Sequence, residues 1–312
     1  MRVTDKIMYD QMRFSVMDGR DRLFAIQQKI SANRKLTSLS DDPRGSEKAS
    51  QLKSTESELD QFRRNIQSGK TSLELTGVAL QGVADLLVRA KEISIQFSNG
   101  EYGAGDREIA AEEVAGIYRQ VVSFANMKNG SDYLFSGFNS DTPAYSAVVV
   151  DASGVVVGGG VWGGDAGEKE VRVGQSERMA INVTGASVFG SSVLVGAVPA
   201  AGLMKDLQDL QTALGADDLA GIGNAMTAMD AGMQAVLASQ STVGTRIRQM
   251  EVMDSAIGNM LVSVATQLSG IEDLDIAEMA TELAKQEAAY EAAILVAGRI
   301  SSLSMMSGMT AG

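Results

Sequence analysis

For about fifty residues in its second half this chain alternates apolar residues at spacings of three and four, and that pattern leaves few folds open. From Leu219 the series Ile222, Met226, Met229, Met233, Val236, Val243, Ile247, Met250, Ile257, Leu261, Val264, Leu268 and Ile271 keeps a heptad seam, broken only by Gln240 and Asp254. A helix carrying it is about 80 Å long at 1.5 Å per residue. The same spacing marks both ends of the chain. A first helix, from about Thr4 to Asn33, has Tyr9, Met12, Val16, Leu23, Ile26 and Ile30 on one stripe, with Gly19 at the remaining seam position. A last helix from Asp275 carries Ile276, Met279, Leu283, Tyr290, Ala293, Ala297 and Ile300, with Gln286 as a polar member and Asp275 and Glu278 as a capping-box-like start. Each terminal stripe is narrow and rich in Ala and Met. Both are therefore expected to order against each other or against neighbouring copies.

The middle of the chain is punctuated. Asp42 and Pro43 suit the N-cap and first position of a second long helix, seamed by Leu52, Leu59, Phe62, Ile66, Leu73, Leu80, Val83, Leu87, Ala90 and Phe97. A third helix is expected to open at Asp106, and a non-helical strip, Asn129 to Tyr145, to lead out of it. Pro143 and Pro199 then bracket a Gly-rich block with β-branched runs at Val148 to Val150, Val155 to Val157, Val171 to Val173 and Ile181 to Thr184. Asp151-Ala152-Ser153-Gly154 reads as a hairpin loop between the first two runs. After Pro199, Leu203, Leu207, Leu210 and Leu214 return the chain to helix. The expected fold is mainly α, an elongated antiparallel helical bundle or coiled coil of N- and C-terminal segments with a small inserted β domain. Three domains are expected: a terminal coiled-coil assembly domain of residues 1–40 plus 274–312, a helical rod of 41–142 plus 200–273, and a β domain of 143–199.

Composition removes most chemistry. With no Cys and no His, thiol nucleophiles, imidazole bases and the commonest transition-metal ligands are all absent. The net charge of -12, without a basic run, gives no footprint for nucleic acid. No stretch of some 20 apolar residues stands out as a membrane span, and MRVTDKIMYDQMRFSV has neither the apolar run nor the cleavage site of a leader. Gly158-Gly159-Gly160-Val161-Trp162-Gly163 matches a dinucleotide fingerprint by letter, but a strand-like run rather than a helix follows, so a turn is expected. Gly69-Lys70-Thr71 lies inside a helix seam and lacks the first glycine of a phosphate loop. Asp41 and Asp42 read as a helix start, and Glu272, Asp273 and Asp275 lack the spaced ligands of a calcium loop. No catalytic, cofactor-binding or metal-binding residue is expected, and no enzyme.

Four strings in order carry a family likeness: MRVTDKIMYDQ, the Ser40-Asp41-Asp42-Pro43 step, Tyr133-Leu134-Phe135-Ser136-Gly137-Phe138 followed by Asp141-Thr142-Pro143, and DLDIAEMATELAKQEAAYEAAILVAGRISSLS. Together they resemble the hook-associated protein 3 family, the hook-filament junction branch of the flagellin superfamily. Flagellins are similar at both ends, but they usually have Ala-Ala-Gly where this chain has Pro43-Arg44-Gly45, and they lack the YLFSGF strip. The resemblance implies a secreted structural subunit of the bacterial flagellum that forms a ring between hook and filament, with the filament subunit as the alternative. It implies self-assembly, hook-associated protein 1 on the hook side, flagellin on the filament side, a cytoplasmic export chaperone and export without a cleaved signal peptide. The expected assembly interface is the terminal stripe of Met12, Val16, Leu23, Ile26, Ile30, Leu283, Tyr290 and Ile300.

Overall fold

The computed structural model describes residues 2–35, 42–151, 155–190, 194–195, 198–199 and 202–309. The helices are α1 (Arg2–Ala32), α2 (Pro43–Phe97), α3 (Ala104–Ala125), the short α4 (Gly185–Phe189), α5 (Leu203–Gly215), α6 (Leu219–Glu272) and α7 (Ile276–Met309). Between α3 and α5 lie four antiparallel strand pairs: β1 (Lys128–Asn129) with β2 (Asp132–Tyr133), β3 (Val149–Val150) with β4 (Val156–Gly158), β5 (Glu170–Arg172) with β6 (Arg178–Ala180), and β7 (Leu194–Val195) with β8 (Val198–Pro199). The mainly helical fold with a small β insertion is the one expected. The chain divides into two compact units, residues 1–58 with 259–312, and residues 59–258.

In the second unit the heptad seams of α2 and α6 close on each other. Leu73, Leu80 and Val83 of α2 and Ile222, Val236 and Met250 of α6 are completely buried. The two polar interruptions of the α6 seam find polar partners across the pair: Gln240 donates to Gln81 at 3.3 Å, and Asp254 accepts from Arg63 at 3.1 Å. Thr76 and Ser94, buried on α2, return their hydroxyls to the carbonyls of Ser72 and Ala90, both at 2.8 Å, so neither needs a partner from another element. One window of α2 is long and apolar enough to cross a membrane by length and composition, a feature the sequence reading did not single out. Only 39% of that window is buried, and α2 also exposes Val78, Val88 and Ile95. Gly69, mid-helix, marks a close approach: an added Cβ there would lie 2.6 Å from the Ile181 methyl and 3.0 Å from the Met250 terminus. The insertion thus rests directly on α2 and α6.

Helix starts follow the expected chemistry with one shift. Asp42 caps α2 by accepting from the Gly45 N–H at 3.0 Å, and Asp275 caps α7 by accepting from Ala277 and Glu278 at 2.9 and 3.1 Å. The third helix opens at Ala104 rather than Asp106, because the Asp106 carboxylate reaches back to the Gly103 N–H at 3.2 Å and secures an earlier turn. Asp41 and the hairpin-loop residues Ala152, Ser153 and Gly154 lie outside the described residues, although Asp151 and Val155 close that loop with a backbone bond of 3.0 Å. Gly158 ends β4, and Gly159 and Gly160 follow at φ of +89° and +63°, the turn expected there and no helix.

Candidate assembly surfaces

In the first unit α1 packs along α7. Met12, Val16, Leu23, Ile26 and Ile30 of α1, and Met279, Leu283, Gln286, Tyr290, Ala293 and Ala297 of α7, are all half-buried; of the residues between them all are exposed except Gly19 and Lys29, also half-buried. The register is fixed at Gly19, where an added Cβ would lie 3.3 Å from Cδ2 of Tyr290. A Cβ at 19 would require that ring to give by a few tenths of an ångström, so the two helices approach closely there. The predicted stripe is thus brought together within one chain, apart from Ile300, whose side chain lies outside the described residues. At the base of the pair, Lys35 donates its N–H to the Glu272 carbonyl at 2.8 Å, Arg34 bridges Asp273, and Lys53 forms an ion pair with the Glu272 carboxylate.

Periodicity alone missed a second stripe. Ile7, Phe14, Met17 and Phe24 are 58, 68, 43 and 66% exposed, and they repeat at heptad-compatible spacings on the face of α1 away from the seam. On α7, Ile294, Leu295 and Val296 are exposed in succession beside the half-buried Ala293 and Ala297, and so is Ile276, which the sequence placed in the seam. Apolar side chains repeated along exposed helix faces mark an interaction surface. The signal was legible: two phenylalanines ten residues apart on a helix whose buried stripe was already complete.

In the second unit the YLFSGF strip is a tether. Leu134, Phe135 and Ser136 are buried; Phe135 meets Phe189 edge-on at 5.3 Å, and Ser136 donates to the Thr142 carbonyl at 2.8 Å. Gly137 has φ +75°, and a Cβ there would fall 2.2 Å from the Asp165 carbonyl oxygen, so only glycine fits. The Asp165 carboxylate then gathers the N–H groups of Phe138, Asn139 and Gly167 at 2.8, 2.9 and 2.7 Å. These bonds, that from Phe138 first, hold its carboxyl below the ordinary value of 3.8. Tyr118 and Tyr145 pillar the insertion: their hydroxyls donate to Gly159 at 3.1 Å and Gly185 at 3.0 Å, and burial pushes the Tyr118 phenol up to about 12 and Tyr145 further in the same direction. Both stay neutral donors at physiological pH.

The Asp165 latch has a pH signature. Because its folded pKa is depressed, its contribution to stability is present above the ordinary carboxylate range and lost as pH falls through the lowered folded value. Asp165→Asn is expected to loosen the insertion at neutral pH and to flatten the acid transition below about pH 4. The single tryptophan, Trp162, bridged to Tyr145 beside the strip, reports it by fluorescence. An acid transition unchanged by the substitution would remove Asp165 from this role.

Comparison with known proteins places these surfaces in context. Residues 3–140 match the family described as the bacterial flagellin N-terminal helical region. Flagellar hook-associated protein 3 of Salmonella typhimurium is 25% identical over 314 residues, covering 94% of this chain and 94% of that protein. Flagellin FlaB1 of Treponema pallidum is 23% identical over 260 residues, covering 83% and 82%. Among solved structures, a putative flagellar hook-associated protein from Vibrio parahaemolyticus superposes with a TM-score of 0.64 at 24% identity, over 75% of this chain and all of that one.

Proposed function

We propose that this chain, similar over nearly its whole length to hook-associated protein 3 and matching the flagellin N-terminal helical region over residues 3–140, belongs to the flagellin superfamily and is the structural subunit that joins the flagellar hook to the filament. The observation that carries the reading is the end-to-end likeness, β insertion included; the likeness to flagellin covers less of both chains. Its work is assembly rather than catalysis. Met12, Val16, Leu23, Ile26, Ile30, Leu283, Tyr290 and Ile300 hold the terminal helices together, and the outward stripe of Phe14, Phe24 and Leu295 meets the terminal helices of neighbouring copies. The three domains follow the same division of labour: terminal helices for assembly, the helical rod for spacing and the β insertion as an outward appendage.

The finer partners rest on the family. Hook-associated protein 1 receives the ring on the hook side, flagellin polymerises on the other side, and a cytoplasmic chaperone covers the C-terminal helix before export without a cleaved leader. The filament subunit is the second reading, favoured by the treponemal flagellin likeness. Deleting the gene separates them. The expected result is complete hooks without filaments, with unpolymerised filament subunit in the medium; normal filaments on the deletion strain would overturn the junction reading.

A further inference from the structure

A cleft of 560 Å³ opens between the β5–β6 hairpin and α6. Its charged lining is three guanidinium groups, Arg178, Arg246 and Arg248, against one carboxylate, Glu177, beside Met179, Val252 and Met253, in a chain whose net charge is -12. Arg246 is engaged, donating to the Asn182 carbonyl at 2.7 Å and lying 3.5 Å from Glu168. Arg178 and Arg248 are held loosely. The Arg178 side chain is 67% exposed and 3.9 Å from Glu170, while Arg248 donates to the Thr245 hydroxyl at a long 3.4 Å. With five N–H donors on each, both keep donor capacity for carboxylates. Val252 is 70% exposed at the same place.

The complement stands on α2 of the same unit. Glu74, Val78, Gln81 and Asp85 follow one another at spacings of four and three along an exposed ridge, with Val78 59% exposed between two acids. Val78 does not stand level with the apolar floor of its own chain's cleft. Lys70 pairs with Glu251 and Gln81 meets Gln240, so Val78 lies about 13 Å further along the helix pair than the level of Val252. We infer that the cleft of one copy receives the Glu74 to Asp85 ridge of the next copy, Val78 entering among Met179, Val252 and Met253, and Glu74 and Asp85 facing Arg178 and Arg248. Charge selects this occupant: between copies that are each strongly acidic, seating acids against the arginine-lined cleft avoids like-charge contact. The contact is heterologous, ridge to cleft, and such contacts close into rings when the rotation between copies permits. It rests on the junction reading, to which it adds the side-to-side surface.

The absence of cysteine makes the test direct. The full chain carrying Val78→Cys and Val252→Cys, both at exposed positions, is expressed in the deletion strain, and isolated flagella are oxidised and run without reductant. A ladder of dimers and higher multimers is expected from the double variant, and none from either single variant, because a heterologous contact does not place a residue opposite its own copy. The variant chain present in filament-bearing flagella without a ladder overturns the inference and leaves the junction reading standing; a ladder from a single variant overturns it in favour of a two-fold contact. Complete hooks and filaments lacking the chain altogether overturn the junction reading, and the inference with it.

Discussion

Replacing Arg107 with Ala is expected to lower the stability of the second unit by about 3 kcal/mol, the upper end of what losing hydrogen bonds to a charged group costs. Arg107 is 5% exposed and fastens three chain segments: its Nε donates to the Phe97 carbonyl at 3.1 Å, one terminal nitrogen to the Asn99 carbonyl at 3.0 Å, and the other pairs with the Asp217 carboxylate. It therefore ties the α2–α3 turn to the connection between α5 and α6, where Asp217 sits at φ +55°. Without the guanidinium, two carbonyls lose their donors at the point where the turn closes. For a unit of this size the loss corresponds to a fall in Tm of about 10 °C. Arg107→Lys is expected to recover little, since a compact ammonium, a point charge without the planar fork, cannot serve three acceptors at once. Calorimetry of the purified chain checks it; a fall below about 2 °C, corresponding to less than 1 kcal/mol, would show that the network contributes little.

Leu283→Asp is expected to have the largest effect on assembly. Leu283 is half-buried in the α1–α7 seam one turn after Met279 and two turns before Tyr290, so a carboxylate there faces apolar side chains with no cation among the predicted stripe. A desolvated charge in such a seam costs several kcal/mol, about the stability of an isolated helix pair. The free variant should lose ellipticity from the terminal helices while the calorimetric transition of the second unit stays in place, and cells should carry hooks without filaments. Phe14→Asp with Phe24→Asp separates the two stripes: those side chains point away from the seam, so helicity of the free chain is expected to persist while filaments are lost. Normal filaments from both variants would remove the terminal helices from assembly.

The helices were legible because heptad spacing is a local signal. Every residue of the α6 seam from Ile222 to Ile271 is buried or half-buried, and the caps at Asp42 and Asp275 are where short-range chemistry puts them. The β insertion was legible only in part. Val155 to Val157 nearly overlies β4, but Ile181 to Thr184 is not a strand. Its place is taken by β6, whose Arg178, Met179 and Ala180 pair with Arg172, Val171 and Glu170. What ends the ladder is tertiary: the Asn182 side chain binds the Lys169 N–H at 2.8 Å and the Gly167 carbonyl at 3.0 Å, and Ile181 turns onto Gly69. Arg107 was invisible for the same reason. Beside Asp106 and Glu108 it reads as a solvated helix-face charge, and its burial depends on Asp217, 110 residues away. On the assembly side both stripes follow from spacing, the seam from its three-four repeat and the outward stripe from Phe14 and Phe24 on the face that the seam leaves free.

The central claim, that this chain sits between hook and filament rather than along the filament, is tested most directly by labelling the chain in place. Antibody raised against the second unit, coupled to gold and applied to intact isolated flagella, is expected to mark one narrow band where the hook ends and the filament begins. Label distributed along the filament would identify a filament subunit and contradict the account.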